Sequence, residues 1–203
     1  MAEYKKDDDD REKGLKGHGI IHLTGAIDSG TAQGVCEAIL EANLEGKHDQ
    51  IQMIINSPGG SCADGFAVID IMEWSRLPIF TVGLGRVASM GLLIFMAGAK
   101  GHRVLTPRTS VLSHRYSTLV MGNHSDLIAH RKEEDFMHKR IVRHYLDYSG
   151  LKDEAELEAK LLRDVDTWLT PQEAVEHGIA DVVEPLKRGP WSSGAGKEAS
   201  RAN

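Results

Sequence analysis

A chain of 203 residues with a formal net charge of −6 can bury one core without disulfides or a structural metal, and it needs no second domain. Its acidic balance removes the general electrostatic drive towards nucleic acid or an anionic membrane surface. Two cysteines, Cys36 and Cys62, fit reduced thiols in a cytoplasm, and no apolar stretch of signal-peptide type opens the sequence.

The opening "MAEYKKDDDDREKG" is almost wholly charged, so residues 1–18 are expected to form a mobile segment. "IIHLT" (20–24) is the first strand candidate. "SGTAQGVCEAILEANLE" (29–45) is a helix with Asp28 or Ser29 as cap and Val35, Ile39 and Ala42 on one face. After the strand "IQMII" (51–55), "INSPGGS" (55–61) is expected to turn from strand to helix. Pro58 fixes one dihedral there, and Gly59-Gly60 permits a backbone that exposes N–H groups.

"CADGFAVIDIMEWS" (62–75) spaces Phe66, Ile69 and Met72 as a helix face, and "IFTVG" (79–83) is a strand. "SMGLLIFMAGA" (89–99) has about half the ~20 residues a bilayer-spanning helix needs, and is expected to be a buried core helix. "HRVL" (102–105) and "SVLS" (110–113) are further strands. A long helix over 125–150 takes Ser125 and Gly150 as caps, with Met137, Ile141, Tyr145 and Tyr148 as its packing stripe.

A short helix over 153–164 follows, then "TPQEAVEHG" (170–178), with Thr170 as N-cap, Pro171 at the first helical position and Gly178 past the end. "IADVV" (179–183) is the last strand, and residues 186–203, rich in Gly, Ser and Ala, are expected to be a flexible tail. Strands interleaved with helices predict an α/β domain over 19–185 with a largely parallel sheet. No internal sequence repeat is visible.

"GRVASMG" (85–91) supports three readings of Ser89. "GLGRVA" (83–88) matches the dinucleotide fingerprint G-x-G-x-x-A, but no Asp or Glu occurs between Glu73 and Asp126 to hold a ribose, leaving Arg103 or Arg108 for a 2′-phosphate. As the first residue of a helix, Ser89 is an ordinary cap. As a nucleophile, it needs a base and N–H donors for an oxyanion, each donor worth roughly 3 kcal/mol. "INSPGGS" supplies a second set of amides at the same sheet edge, which favours the nucleophile.

Of the ten histidines, His114 stands at a strand end just after the helix that Ser89 opens. His124, His130, His138 and His144 lie on or beside a heavily charged helix and are expected to be solvated; His18 and His22 are four apart but in Gly-rich and strand context. No H-E-x-x-H or C-x-x-C spacing marks a metal site. For a carboxylate to hold the imidazole, "RDVDTWLT" (163–170) offers Asp164 and Asp166.

"INSPGG", "GRVASMG", "AGAKGHRVLTPRTSVLSH" and "DTWLTPQEAVEHGIADVV" together resemble the proteolytic subunit of the ATP-dependent Clp protease, the ClpP family. They occur in the family's order over residues 19–185, without a gap between "INSPGG" and "ASMG". The resemblance implies a ClpP/crotonase-like α/β fold of repeated β-β-α units, with a handle over about 115–150. It implies a Ser89, His114, Asp166 triad, Asp166 being favoured over Asp164 by the family's Asp-x-aromatic-Leu/Met-Ser/Thr segment, and an oxyanion hole from the Gly60 and Met90 amides.

A cytoplasmic serine endopeptidase for peptides or unfolded proteins follows from the resemblance. It would need no cofactor and would work as a homo-oligomer of heptameric rings, stacked as a tetradecamer, beside a separate AAA+ unfoldase that consumes ATP. Two departures point to a divergent, accessory or phage-type member: "RYSTLVMGNHSD" (115–126) carries only Gly122 where the family is Gly-rich, and the N-terminus is more acidic than the family's pore loops. The competing readings are a non-catalytic ring subunit and a crotonase-type acyl-CoA enzyme.

Overall fold

The computed structural model describes residues 14–185; the charged stretch through residue 13 and the tail from residue 186 lie outside the described residues. A single 3₁₀ turn, Lys16–His18, precedes strand β1 (Ile20–Ile27). Helix α1 (Ser29–Glu45) then leads to β2 (Ile51–Gly60), and α2 (Cys62–Trp74) to β3 (Ile79–Ala88). Asp28 caps α1 by accepting from the Thr31 amide at 2.8 Å, and Ser61 caps α2 through the Asp64 amide.

Helix α3 (Met90–Met96) precedes β4 (Arg103–Leu105) and β5 (Ser110–Ser113); the long α4 (His124–Tyr148) and the short α5 (Glu154–Lys160) come next. Strand β6 (Thr167–Leu169), α6 (Pro171–Glu176) and β7 (Val182–Val183) complete the described chain. The strands form one sheet in the order β1-β2-β3-β4-β7, every neighbour parallel, while β5 pairs parallel with β3 and antiparallel with β6. This is the mixed α/β architecture expected of the ClpP/crotonase-like fold.

All seven residues of α3 are buried, as a helix that is apolar all round must be. Its neighbours Ile55, Val87, Leu105 and Val111 on the sheet and Val68, Ile141 and Tyr145 on the flanking helices are also buried. Among the described residues, no helix is long and apolar enough to cross a membrane.

Several sequence expectations need correction. β2 and β3 do not stop at residues 55 and 83 but run on through "NSPGG" and "LGRVA". Ile55 pairs with Gly83 while Ser57 pairs with Val87, so β3 carries extra residues in a bulge. Gly85, at φ 66°, makes the bend, and the Arg86 amide beyond it donates to Asn56 Oδ1 at 3.1 Å. One strand thereby serves two neighbours, β4 along 81–83 and β5 along 86–88.

The dinucleotide reading fails for that reason: residues 83–88 run as a bulged strand between β2 and β5, with the Arg86 amide given to Asn56, and do not form a phosphate loop. Arg103 is equally unavailable to a phosphate. It is buried and gives its guanidinium to Asp181 Oδ1 (2.6 Å) and Oδ2 (2.9 Å) and to the carbonyls of Tyr148 (2.6 Å) and Gly178 (3.0 Å).

The long helix starts with Asn123 as its cap, in a capping box with Asp126, rather than with Ser125, and it ends before Gly150. Strand β6 lies in "RDVDTWLT", where the sequence pattern predicts no strand, and "IADVV" contributes only Val182–Val183 to the sheet. His144 is not solvated: it is buried, with Nε2 2.8 Å from the Leu93 carbonyl of α3.

Candidate active site

Ser89 is the link between β3 and α3, and among the described residues it is the one non-glycine residue with positive φ, at φ 54° and ψ −127°. Such a conformation is strained for a residue with a Cβ and persists only where the surroundings impose it. Here they do: the Ser89 amide donates to the Leu112 carbonyl of β5 at 3.0 Å, and the Ser89 carbonyl accepts from the Leu92 amide of α3 at 2.9 Å. Although Ser89 stands at the N-cap position, its side chain makes no capping bond. The hydroxyl is turned away from the helix, with Oγ 2.8 Å from His114 Nε2.

The "SPGG" segment touches this turn from β2. Gly59 has φ 93°, and a Cβ built on it would lie 2.6 Å from Ser89 Cβ, 2.9 Å from the Ala88 carbonyl oxygen and 3.0 Å from the Met90 nitrogen, so only glycine fits. Buried Ser57 holds the segment in place, donating Oγ–H to the Gly25 carbonyl (2.7 Å) and accepting the Gly59 amide (3.1 Å). Gly60, at φ 156°, packs against the Ile27 backbone, where a Cβ would fall 2.2 Å from the carbonyl oxygen. Met90 opens α3, so its amide has no carbonyl partner within the helix.

His114 follows β5 directly. Its Nδ1 lies 3.7 Å from Asp166 Oδ1, beyond hydrogen-bond length, and the Asp166 carboxylate is 59% exposed. Asp164 faces elsewhere: Arg115 Nη1 reaches it at 3.0 Å. Arg115 also donates Nε–H to the Leu162 carbonyl at 2.8 Å and pairs with Glu158 at 3.3 Å. The residue after His114 therefore straps down the segment that carries Asp166, a role that only adjacency to His114 could have signalled in the sequence.

Behind the imidazole, buried Ser113 and Tyr145 share a 2.7 Å hydrogen bond that ties β5 to α4. Burial pushes the Tyr145 hydroxyl up to about 12, so it stays protonated. Tyr116 donates its hydroxyl to the Glu134 carbonyl at 2.8 Å and lines the space beside Ser89. The structure thus brings Ser89, His114, Asp166, Gly59 and the Met90 amide together at one corner of the sheet, and sends Asp164 to Arg115. Among the described residues, no cluster of His, Cys, Asp or Glu could hold a metal ion.

A serine hydroxyl on an imidazole nitrogen, with a carboxylate on the far side of the ring, can perform nucleophilic acyl transfer. Compared with known protein families, the chain matches the model described as Clp protease over residues 5–185.

Proposed function

We propose, from the premise that this chain belongs to the Clp protease family, that it is a serine endopeptidase in which Ser89 is the nucleophile, His114 the general base and Asp166 the acid behind it. The observation that carries this reading is the 2.8 Å contact of Ser89 Oγ with His114 Nε2 at a strained strand end. With the ring proton on Nδ1, facing Asp166, Nε2 accepts the Ser89 proton as Oγ attacks a peptide carbonyl. Protonated His114 then donates to the leaving amine, and water repeats the cycle on the acyl-enzyme.

The Gly60 and Met90 amides are proposed to hold the oxyanion. Gly60 is taken from its place in the family motif "SPGG", and Met90 is supported by its position next to Ser89 as the first residue of α3, with no helix carbonyl for its amide. The attack needs no bound cofactor.

Family membership also supports a working form assembled into rings, proposed here as stacked heptamers beside an AAA+ unfoldase, with substrate unfolded before it reaches Ser89. The surface fits a handle between copies: Leu119, Met121 and Ile128 are exposed at or near the start of α4. An acidic N-terminal stretch outside the described residues is the segment that would meet the unfoldase in a form different from the family's usual one.

The test is covalent. A fluorophosphonate should label the wild-type protein at Ser89, and Ser89→Ala should lose both labelling and peptide cleavage. Labelling that survives in Ser89→Ala would refute the assignment, and a wild-type protein that neither labels nor cleaves would be a non-catalytic ring subunit instead.

A further inference from the structure

We infer that Tyr116 sets the specificity of this site by closing the pocket for the residue whose carbonyl Ser89 attacks, so that cleavage follows glycine, alanine or serine. The inference rests on the proposed Ser89 nucleophile and adds to it which residue precedes the scissile bond.

One small cavity touches both Ser89 and His114, and its other walls are Cys62, Met90, Leu93, Tyr116, Ile141 and Tyr145. The side chain next to an attacked carbonyl must lie within a few ångströms of Oγ, so this cavity is where it goes. Its volume is about 20 Å³. That space is filled by one water-sized group, the size of a methyl or a hydroxyl, and has no room for the branch of a leucine or a phenyl ring.

Most of the walls cannot yield. Met90, Leu93, Ile141 and Tyr145 are at most 5% exposed and belong to the core, and Tyr145 is held further by Ser113. Displacing them would disturb close packing. Tyr116 differs, because it comes from the irregular stretch 115–123 between β5 and α4 and is only partly buried. Its place is fixed by the hydroxyl bond to the Glu134 carbonyl, nearly three turns into α4, which holds the ring in the pocket wall. Burial and the nearby carboxylates of Glu134 and Asp135 push the phenol up, so it remains the donor that this strap needs.

Each methylene that does not fit an apolar pocket costs about 10- to 200-fold in discrimination. The experiment compares inactivation rates by peptidyl diphenyl phosphonates that differ only in the residue mimicked at the attacked position, with a small alkyl fluorophosphonate as a size-independent probe of Ser89. The alanine phosphonate is expected to react at least about tenfold faster than the leucine or phenylalanine one. Tyr116→Ala should invert that order, and Tyr116→Phe, which keeps the ring but cuts the strap, should narrow the gap.

A wild-type protein that takes the leucine or phenylalanine probe as fast as the alanine one would overturn the inference, as would a Tyr116→Ala ratio equal to wild type. If the fluorophosphonate labels Ser89 while phosphonate rates ignore size, only the specificity falls. If the fluorophosphonate fails as well, the nucleophile and the specificity fall together.

Discussion

Asp166→Asn keeps the shape of the side chain and removes the charge that faces His114 Nδ1 from 3.7 Å. At that distance a unit charge stabilises an imidazolium by about 1 kcal/mol at the dielectric of water and about 2 kcal/mol at half that value. The carboxylate is 59% exposed, so this solvent-screened range applies rather than the much larger one of a dry interior. Only the charge formed during attack is at stake, and kcat/KM on a fluorogenic peptide should fall roughly 5- to 50-fold. A buried triad carboxylate hydrogen-bonded to its histidine is worth about 10⁴. High salt should narrow the gap between wild type and Asp166→Asn, because an exposed pair is screened. A loss of about 10⁴ would refute the reasoning by showing that the working enzyme closes the 3.7 Å gap and dries the pair. No loss at all would remove Asp166 from the mechanism.

Three further outcomes can be measured. Gly59→Ala should abolish labelling of Ser89, because its Cβ would sit 2.6 Å from Ser89 Cβ, whereas Gly101→Ala, at φ 89° with nothing within 4 Å, should cost stability and leave labelling intact. Arg103→Met removes a buried guanidinium, leaves the Tyr148 and Gly178 carbonyls without it and leaves the half-buried Asp181 carboxylate only the amides of residues 101 and 103; it should destabilise the fold by up to about 3–5 kcal/mol in urea unfolding, with Arg103→Met/Asp181→Leu recovering part of the loss. Burial pushes the Asp181 carboxyl up, but the Arg103 guanidinium and the Arg103 and Gly101 amides outweigh it and hold it below the usual carboxylate value. Its contribution is therefore present above about pH 4 and lost as pH falls through the lowered value.

His144 is held below its ordinary value by burial, against the Leu93 carbonyl and the Glu73 and Asp147 carboxylates. Below about pH 6.5 the unfolded chain takes up a proton that the folded one resists, so stability should drop as pH falls through that range. His144→Leu should flatten that slope in denaturant titrations from pH 8 to pH 5.

Helix and strand identity was legible along most of the chain because it depends on local spacing. The Thr170 cap, Pro171 and Gly178 mark α6 as written, and Asp28 caps α1. Strand ends were not legible, since "NSPGG" and "LGRVA" carry the glycines and proline of a turn yet remain in the sheet. Pro58 is exposed on β2, and Gly85 bends β3 so that it can change partners, which depends on strands more than a dozen residues away. The burial of His144 is not legible because its helix is charged on average, while burial is set by the one face that meets α3 and α2, where Phe66 lies edge-on to its ring.

By itself the sequence determined that an α/β domain with a mostly parallel sheet would carry Ser89 at the start of a helix after one strand and His114 at the end of another strand. Residue types and their order suffice for that, because helix and strand identity follows local spacing. Only the tertiary structure decided that Ser89 Oγ leaves its helix for His114, that Arg115 draws Asp164 aside while Asp166 faces the imidazole, and that Tyr116 narrows the space beside the hydroxyl. Those outcomes depend on contacts between residues 18 to 52 positions apart, formed when β3, β5, α4 and the segment before β6 meet at one corner, and no local pattern in the chain encodes the distance between them.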